Sequence, residues 1–168
     1  KLCDEIGIRG LVVHIARKSP VEIASVIPSL LTDSKNAILF LEIESYKPLT
    51  EDKSAMTSCT YETPYKLNEL LKSIDPSVMH RVGICIDTAH LWAAGTDIST
   101  HANMRKWFEE LKALNCTNYL IHLNDQIWTL GGGRDEHAPL LRGTIWGRFN
   151  PELDPIDTPE NSGLKAVL

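Results

Sequence analysis

The sequence predicts a parallel α/β architecture, and three observations carry that expectation. Four short runs are apolar on consecutive positions: Leu11-Val12-Val13-His14-Ile15, Ile38-Leu39-Phe40-Leu41-Glu42, Gly83-Ile84-Cys85-Ile86-Asp87 and Tyr119-Leu120-Ile121-His122-Leu123. Unbroken runs of this kind suit strands covered on both faces, because a strand with one wet face would alternate apolar and polar residues. Stretches of helical period lie between them, and the resulting order is strand, helix, strand, helix, strand, helix, strand. Four such strands are half of an eight-stranded barrel.

Each helix has a start signal. Ser19-Pro20 can cap one that carries Ile23, Ile27, Leu30 and Leu31, although Pro28, lacking an N–H, is expected to kink or end it. Thr63-Pro64 opens a second with Leu67, Leu70, Leu71 and Ile74 on one face, closed by Asp75-Pro76. Ser99 or Thr100 caps a third bearing Met104, Trp107, Phe108, Leu111 and Leu114. The polar stretch 48–61 reads as a long loop or insertion, and 149–163, with Pro151, Pro155 and Pro159, as irregular chain. Leu164–Leu168 could begin another helix. No internal repeat or low-complexity tract is visible. The whole of 1–168 reads as a single partial domain, and a start without Met in mid-pattern suggests truncation at both ends.

Composition narrows the function classes. The 168 residues are 43% hydrophobic and 23% charged, ordinary for a globular domain. No run of 18 apolar residues suggests a membrane span, and no signal peptide is visible. The four cysteines, Cys3, Cys59, Cys85 and Cys116, form no Cys-x-x-Cys pair. Cys85, inside an apolar run, reads as a small buried hydrophobe. Reduced thiols and an intracellular setting, cytoplasm or nucleus rather than secretion, are the expectation. A net charge of −5 argues against nucleic-acid binding through a broad basic face. It leaves room for a nuclease whose positive charge comes from divalent ions.

The chemistry is written in position. Each apolar run meets a potential metal ligand at or near its C-terminal end: His14, Glu42, Asp87 and His122. In a parallel barrel those ends converge on one mouth. Any one of these residues has a bland explanation, such as a helix cap or a hydrogen-bonded structural histidine; four in register across successive strands do not. Asp87-Thr88-Ala89-His90 adds an imidazole three residues on. After Gly131-Gly132-Gly133, the run Arg134-Asp135-Glu136-His137 places Asp135 and His137 on the same side of an extended loop. Four of these seven donors are imidazoles, a set that suits zinc better than magnesium. His80 and His101 lack this context and read as surface residues.

Gly83-Ile84-Cys85-Ile86-Asp87-Thr88-Ala89-His90-Leu91-Trp92-Ala93-Ala94-Gly95-Thr96-Asp97 resembles the endonuclease IV signature around its Asp-Thr-x-His pair. His122-Leu123-Asn124-Asp125 is similar to the family's second signature and Asp135-x-His137 to its third. His14 and Glu42 match earlier ligands less specifically. The resemblance spans most of residues 7 to 147. It implies about four central-to-late βα units of a (β/α)8 TIM barrel of the xylose isomerase-like superfamily. It also implies a zinc-dependent endonuclease that hydrolyses DNA 5′ to an abasic site in base excision repair, its partner being damaged double-stranded DNA. Three Zn2+ ions are implied in the complete enzyme: one on His14 and Glu42, one on Glu42, Asp87 and His122, and one on His90, Asp135 and His137. Glu42 and Asp87 become the catalytic carboxylates, and Arg134 a DNA contact.

The chain departs from that pattern. It has no match to the family's His strand before His14 or to its Glu strand after His137, so missing barrel segments of the same protein are expected partners. Glu152, Asp154, Asp157 and Glu160 follow no apolar strand. Glu136 stands where the family has Arg, Arg134 one place from the expected arginine, and Leu141 where it has Gly. Two other readings remain at this point: a xylose isomerase-like sugar or hydroxy-acid isomerase, and an inactive DNA-binding half-barrel.

Overall fold

Four parallel strands form one sheet, β1 (Gly10–His14), β2 (Ile38–Glu42), β3 (Val82–Asp87) and β4 (Tyr119–His122), hydrogen-bonded in chain order. The computed structural model describes residues 2–15, 18–45, 61–147 and 162–168. All but Tyr61 of the loop expected over 48–61, all but Ser162 and Gly163 of the irregular tail expected over 149–163, Cys59 and the acidic residues from Glu152 to Glu160 lie outside those residues. Ser162 bridges to Thr100, and Gly163 opens a helix rather than irregular chain. Each apolar run is a strand, and the order is the α/β half-barrel that the sequence predicts. The inner strands β2 and β3 are covered on both faces, β3 along its whole length, whereas Leu11 on the edge strand β1 is 55% exposed.

The helices start where their caps place them. Ser19 caps α2 (Pro20–Leu31) in a full capping box: its hydroxyl accepts from Glu22 N–H, and the Glu22 carboxylate accepts from Ser19 N–H at 2.9 Å. Thr63 caps α3 (Pro64–Ser73), and Thr100 caps α5 (His101–Lys112). Pro28 does not end α2, which runs on to Leu31. The proline sits in the last turn on the exposed side, so the fold forfeits one backbone bond there while Ile23, Ile27 and Leu31 anchor the opposite face. Leu30, expected on that buried face, is exposed instead and lines an apolar hollow beside β1 with Leu2, Ile8 and Leu11.

Other elements were not legible as periodic runs. They are α1 (Leu2–Ile6), the short α4 (Thr88–Ala93) and a two-stranded antiparallel ribbon of β5 (Asp125–Gln126) and β6 (His137–Ala138), whereas the helix expected from Leu164 is present as α6 (Gly163–Val167), one residue earlier. Among the described residues, no helix is long and apolar enough to cross a membrane. Gly83 is required by packing: a Cβ there would lie 2.6 Å from the Phe40 ring and 2.9 Å from the Asn118 carbonyl.

The core runs through Leu39, Leu41, Ile84 and Ile86 of the inner strands and the buried faces of α2, α3 and α5. That packing fixes the strand ends. The register pairs His14 with Glu42, Glu42 with Cys85, and Asp87 with His122, which brings the polar termini of all four strands to one mouth.

Candidate metal centre

Glu42 and Asp87 are buried at the ends of the two inner strands, and the imidazoles gather around them. His122 Nδ1 lies 2.9 Å from Glu42 Oε1, and His14 Nε2 lies 3.4 Å from Glu42 Oε2. Asp87 Oδ2 is 3.8 Å from His122 Nδ1 and 3.7 Å from His137 Nε2. Asp135 reaches two rings at once: Oδ2 is 3.2 Å from His90 Nε2 and Oδ1 is 3.0 Å from His137 Nε2. All seven residues singled out in the sequence therefore meet at one place.

Local chain chemistry explains how they are held. Asp87 is both a cluster member and a helix cap: Oδ1 accepts from Ala89 and His90 N–H, which leaves Oδ2 turned into the mouth. Asn124 Nδ2 donates to that Oδ2 at 2.7 Å. The Thr88 hydroxyl accepts from Asn124 N–H at 2.8 Å and donates to the Asn124 carbonyl, tying the end of β4 to the start of α4. Glu44 Oε1 lies 3.1 Å from His14 Nδ1. On the return strand of the ribbon, His137 pairs with Gln126, and this pairing carries Asp135 and His137 back over the cluster.

His90 is the most informative member. It is 2% exposed, and its Nδ1 lies 2.6 Å from the Ile43 carbonyl. A carbonyl only accepts, so Nδ1 carries a proton and Nε2 is the nitrogen that would offer its lone pair to a cation. That Nε2 is buried and has no hydrogen-bond partner of good geometry, with Asp135 Oδ2 at 3.2 Å. A buried imidazole with one nitrogen committed to a carbonyl and the other aimed unbonded at carboxylates is how metal-ligating histidines are held. Burial opposes protonation of His90, but the charge of Asp87, the Ile43 carbonyl and Asp135 outweigh it and raise its pKa. The donor set thus suits a divalent cation of the zinc type, which would neutralise the acidic cluster.

The structure groups the donors slightly differently from the sequence. Asp87, His90 and His137 present atoms within 4.8 Å of one another, so Asp87 stands between two sets of imidazoles rather than with Glu42 and His122 alone. Cys85 Sγ falls within the same distance of Glu42 and His122. Burial, then the charges of Glu42 and Asp87, push this thiol up to about 12, so at neutral pH it remains the uncharged small group that its apolar run suggests.

Sequence reasoning missed Asn124, Glu44, Thr88 and Asp125 as site-building residues. Asp125 is fully buried and accepts from the backbone N–H groups of Gln126, Leu141 and Ile145 at 2.9, 3.1 and 3.0 Å. Burial pushes its carboxyl up against the pull of those donors. The adjacency of Asn124 and Asp125 to a strand end was the available signal. His80 is exposed and His101 half-buried, both away from the cluster, as expected. Arg134 is exposed on the loop leading to Asp135, with its guanidinium carbon 4.1 Å from the centre of the Trp128 ring.

A parallel half-barrel that collects imidazoles and carboxylates at the C-terminal ends of its strands defines the class: α/β barrel proteins with a polar centre at one mouth. Within that class the chain belongs to the xylose isomerase-like TIM barrel family, whose sequence profile matches residues 1–160. It is 30% identical over 156 residues to a probable AP endonuclease of African swine fever virus (isolate Tick/Malawi/Lil 20-1/1983), covering 90% of this chain and 50% of that protein. It is 32% identical to a probable endonuclease 4 of Mesomycoplasma hyopneumoniae (strain 7448), covering 83% and 49% respectively. The crystal structure of AsfvAP:AG superposes with a TM-score of 0.77 at 29% identity, over 99% of this chain and 52% of that one. Endonuclease IV from Thermus thermophilus shares the fold with a TM-score of 0.64 at 22% identity, over 85% and 49%. The chain spans about half the length of the relatives it matches.

Proposed function

We propose that this chain is the metal-bearing part of a zinc-dependent endonuclease that hydrolyses the DNA phosphodiester 5′ to an abasic site. The observation that carries this reading is the convergence of His14, Glu42, Asp87, His90, His122, Asp135 and His137 on one mouth, with His90 Nε2 buried and unbonded. The names of the relatives support the substrate. Zinc in such a site supplies Lewis acidity and a nucleophile at neutral pH.

The protein's own groups do the rest. His14 and Glu42 would hold one ion, Glu42, Asp87 and His122 a second, and His90, Asp135 and His137 a third. Glu42 and Asp87 act as the catalytic carboxylates because they are buried in the middle of the cluster, each within 3.8 Å of at least two of its imidazoles. Asn124 and the backbone of α4 fix the two oxygens of Asp87 in opposite directions. The net charge of −5 leaves attraction of the phosphate backbone to the bound cations and to local arginines such as Arg134. The thiols of Cys3, Cys85 and Cys116 are free and buried, which supports an intracellular setting.

The test uses the full-length protein. Elemental analysis should find zinc, strong chelation should abolish cleavage of an abasic-site duplex, and His137→Ala should lower the zinc content by about one ion per chain, three protein ligands being the usual minimum for such an ion. Trace zinc with cleavage indifferent to chelator would overturn the reading. The family's name makes an isomerase the natural control: turnover of a ketose or aldose without DNA cleavage would replace the nuclease.

A further inference from the structure

Between β5 and β6 the chain makes a ten-residue excursion, residues 127–136, that presents Ile127, Trp128 and Leu130 to solvent beside the cluster. Exposed apolar residues on an otherwise acidic protein need a reason. Trp128 is 36% exposed although its one polar atom is satisfied: Nε1 donates to Glu136 Oε2 at 2.6 Å. Glu136 is bonded directly to both Asp135 and His137, so the indole is anchored about one residue, on the order of 4 Å of backbone, from two of the cluster's donors. Arg134 lies over the ring, its guanidinium carbon 4.1 Å from the centroid.

The excursion is held in place. Gly131 N–H and Gly133 N–H donate to the carbonyls of Trp92 and Ala93, both at 2.9 Å. Trp92 Nε1 donates to the Trp128 carbonyl at 3.0 Å, and Gln126 Nε2 to the Arg134 carbonyl at 2.9 Å. A rigid loop thus offers an aromatic ring with a cation packed against one of its faces and the residue still 36% exposed. Those two chemistries match the two halves of a nucleotide, a base with a π-face and a phosphate with a negative charge.

We propose that Trp128 and Arg134 form a stacking platform for the nucleobase next to the abasic position, with Arg134 reaching the phosphate of the same nucleotide. This assignment rests on the endonuclease reading and names which part of the substrate the loop holds. Glu136 is a positioning residue: its carboxylate fixes the plane of the indole. Removing a stacked base is expected to weaken binding about tenfold, within the range that base–aromatic stacking supports.

The experiment measures binding of full-length, metal-loaded protein to a duplex with an abasic site and a blocked scissile linkage. In two further duplexes the base on either side of that site is removed in turn. With the wild-type protein, removal on one side should cost about tenfold in affinity. Trp128→Ala should lose a similar factor on the first duplex and nothing more on the duplex lacking that base, while Trp128→Phe should retain most of the affinity. Arg134→Ala should weaken all the duplexes alike and reduce the salt dependence by about one phosphate contact. Losses that simply multiply, or a Trp128→Ala protein that binds as the wild type does, would overturn the platform. A parallel assay on the cleavable duplex separates the two readings. Cleavage with no coupling between Trp128 and a flanking base removes only the platform, and coupled binding without cleavage removes only the nuclease.

Discussion

Histidine 90 shows why single residues here can be read from position and others cannot. It follows the strand-end Asp87 by three residues, and any parallel barrel puts such a pair at the mouth. The same logic locates His14, Glu42 and His122. Asp125 shows only its place just after a strand end, because two of its partners are backbone N–H groups 16 and 20 residues further along. Its importance is nonetheless testable. Asp125→Ala would leave the N–H groups of Gln126, Leu141 and Ile145 buried without their acceptor, at about 1 to 3 kcal/mol each. Urea unfolding of the full-length protein should therefore show a loss of about 3 kcal/mol or more. A loss under about 1 kcal/mol would mean that the donors find other acceptors, and Asp125 would not be what fastens residues 141–145 to β5.

At the level of elements, long periodic runs and capping residues were legible, and short pieces held by tertiary contacts were not. Helices α2, α3 and α5 begin at Ser19-Pro20, Thr63-Pro64 and Thr100 because each cap satisfies a free N–H locally. The six residues of α4 form no periodic face, since every one is buried. The ribbon β5–β6 contributes only two residues per strand, too few for any alternation to register. The N-terminal cap of α2 gives a measurable consequence. Ser19→Ala should cost about 1 kcal/mol of stability at neutral pH. The backbone N–H of Ser19, then its hydroxyl and Lys18, hold the Glu22 carboxyl below its ordinary value of 4.5. A lowered folded-state pKa contributes stability that is present above the unfolded value and lost as pH falls through the folded one. Glu22→Gln should therefore flatten the acid limb of the stability curve below about pH 4.5 while leaving its neutral and alkaline portions parallel to the wild type. Identical acid limbs would show that the capping box contributes nothing through charge.

For the whole molecule, the half-barrel and its two open edges were legible in the order of its elements. Among the described residues β1 pairs only with β2, and β4 only with β3. The exposed Leu2, Ile8, Leu11 and Leu30 flank the β1 side. Four parallel strands cannot close a barrel, so open edges at β1 and β4 were foreseeable from the element order, while the apolar side chains that flank β1 were not. The 168-residue chain expressed alone should self-associate through these edges. Sedimentation at micromolar concentration should show dimers or larger species, and a clean monomer would mean that the edges are covered by residues outside those described. Helix α4 reaches across the molecule in another way. It is capped at its first turn by Asp87, and its last carbonyls, from Trp92 and Ala93, receive the N–H groups of Gly131 and Gly133. Its six residues span about 9 Å, and that length cannot be stretched. It works as a gauge block between the cluster and the tryptophan loop. Inserting a single residue in it would move the loop by about 1.5 Å and turn it by about 100°, drawing Asp135 away from His90 together with the tryptophan.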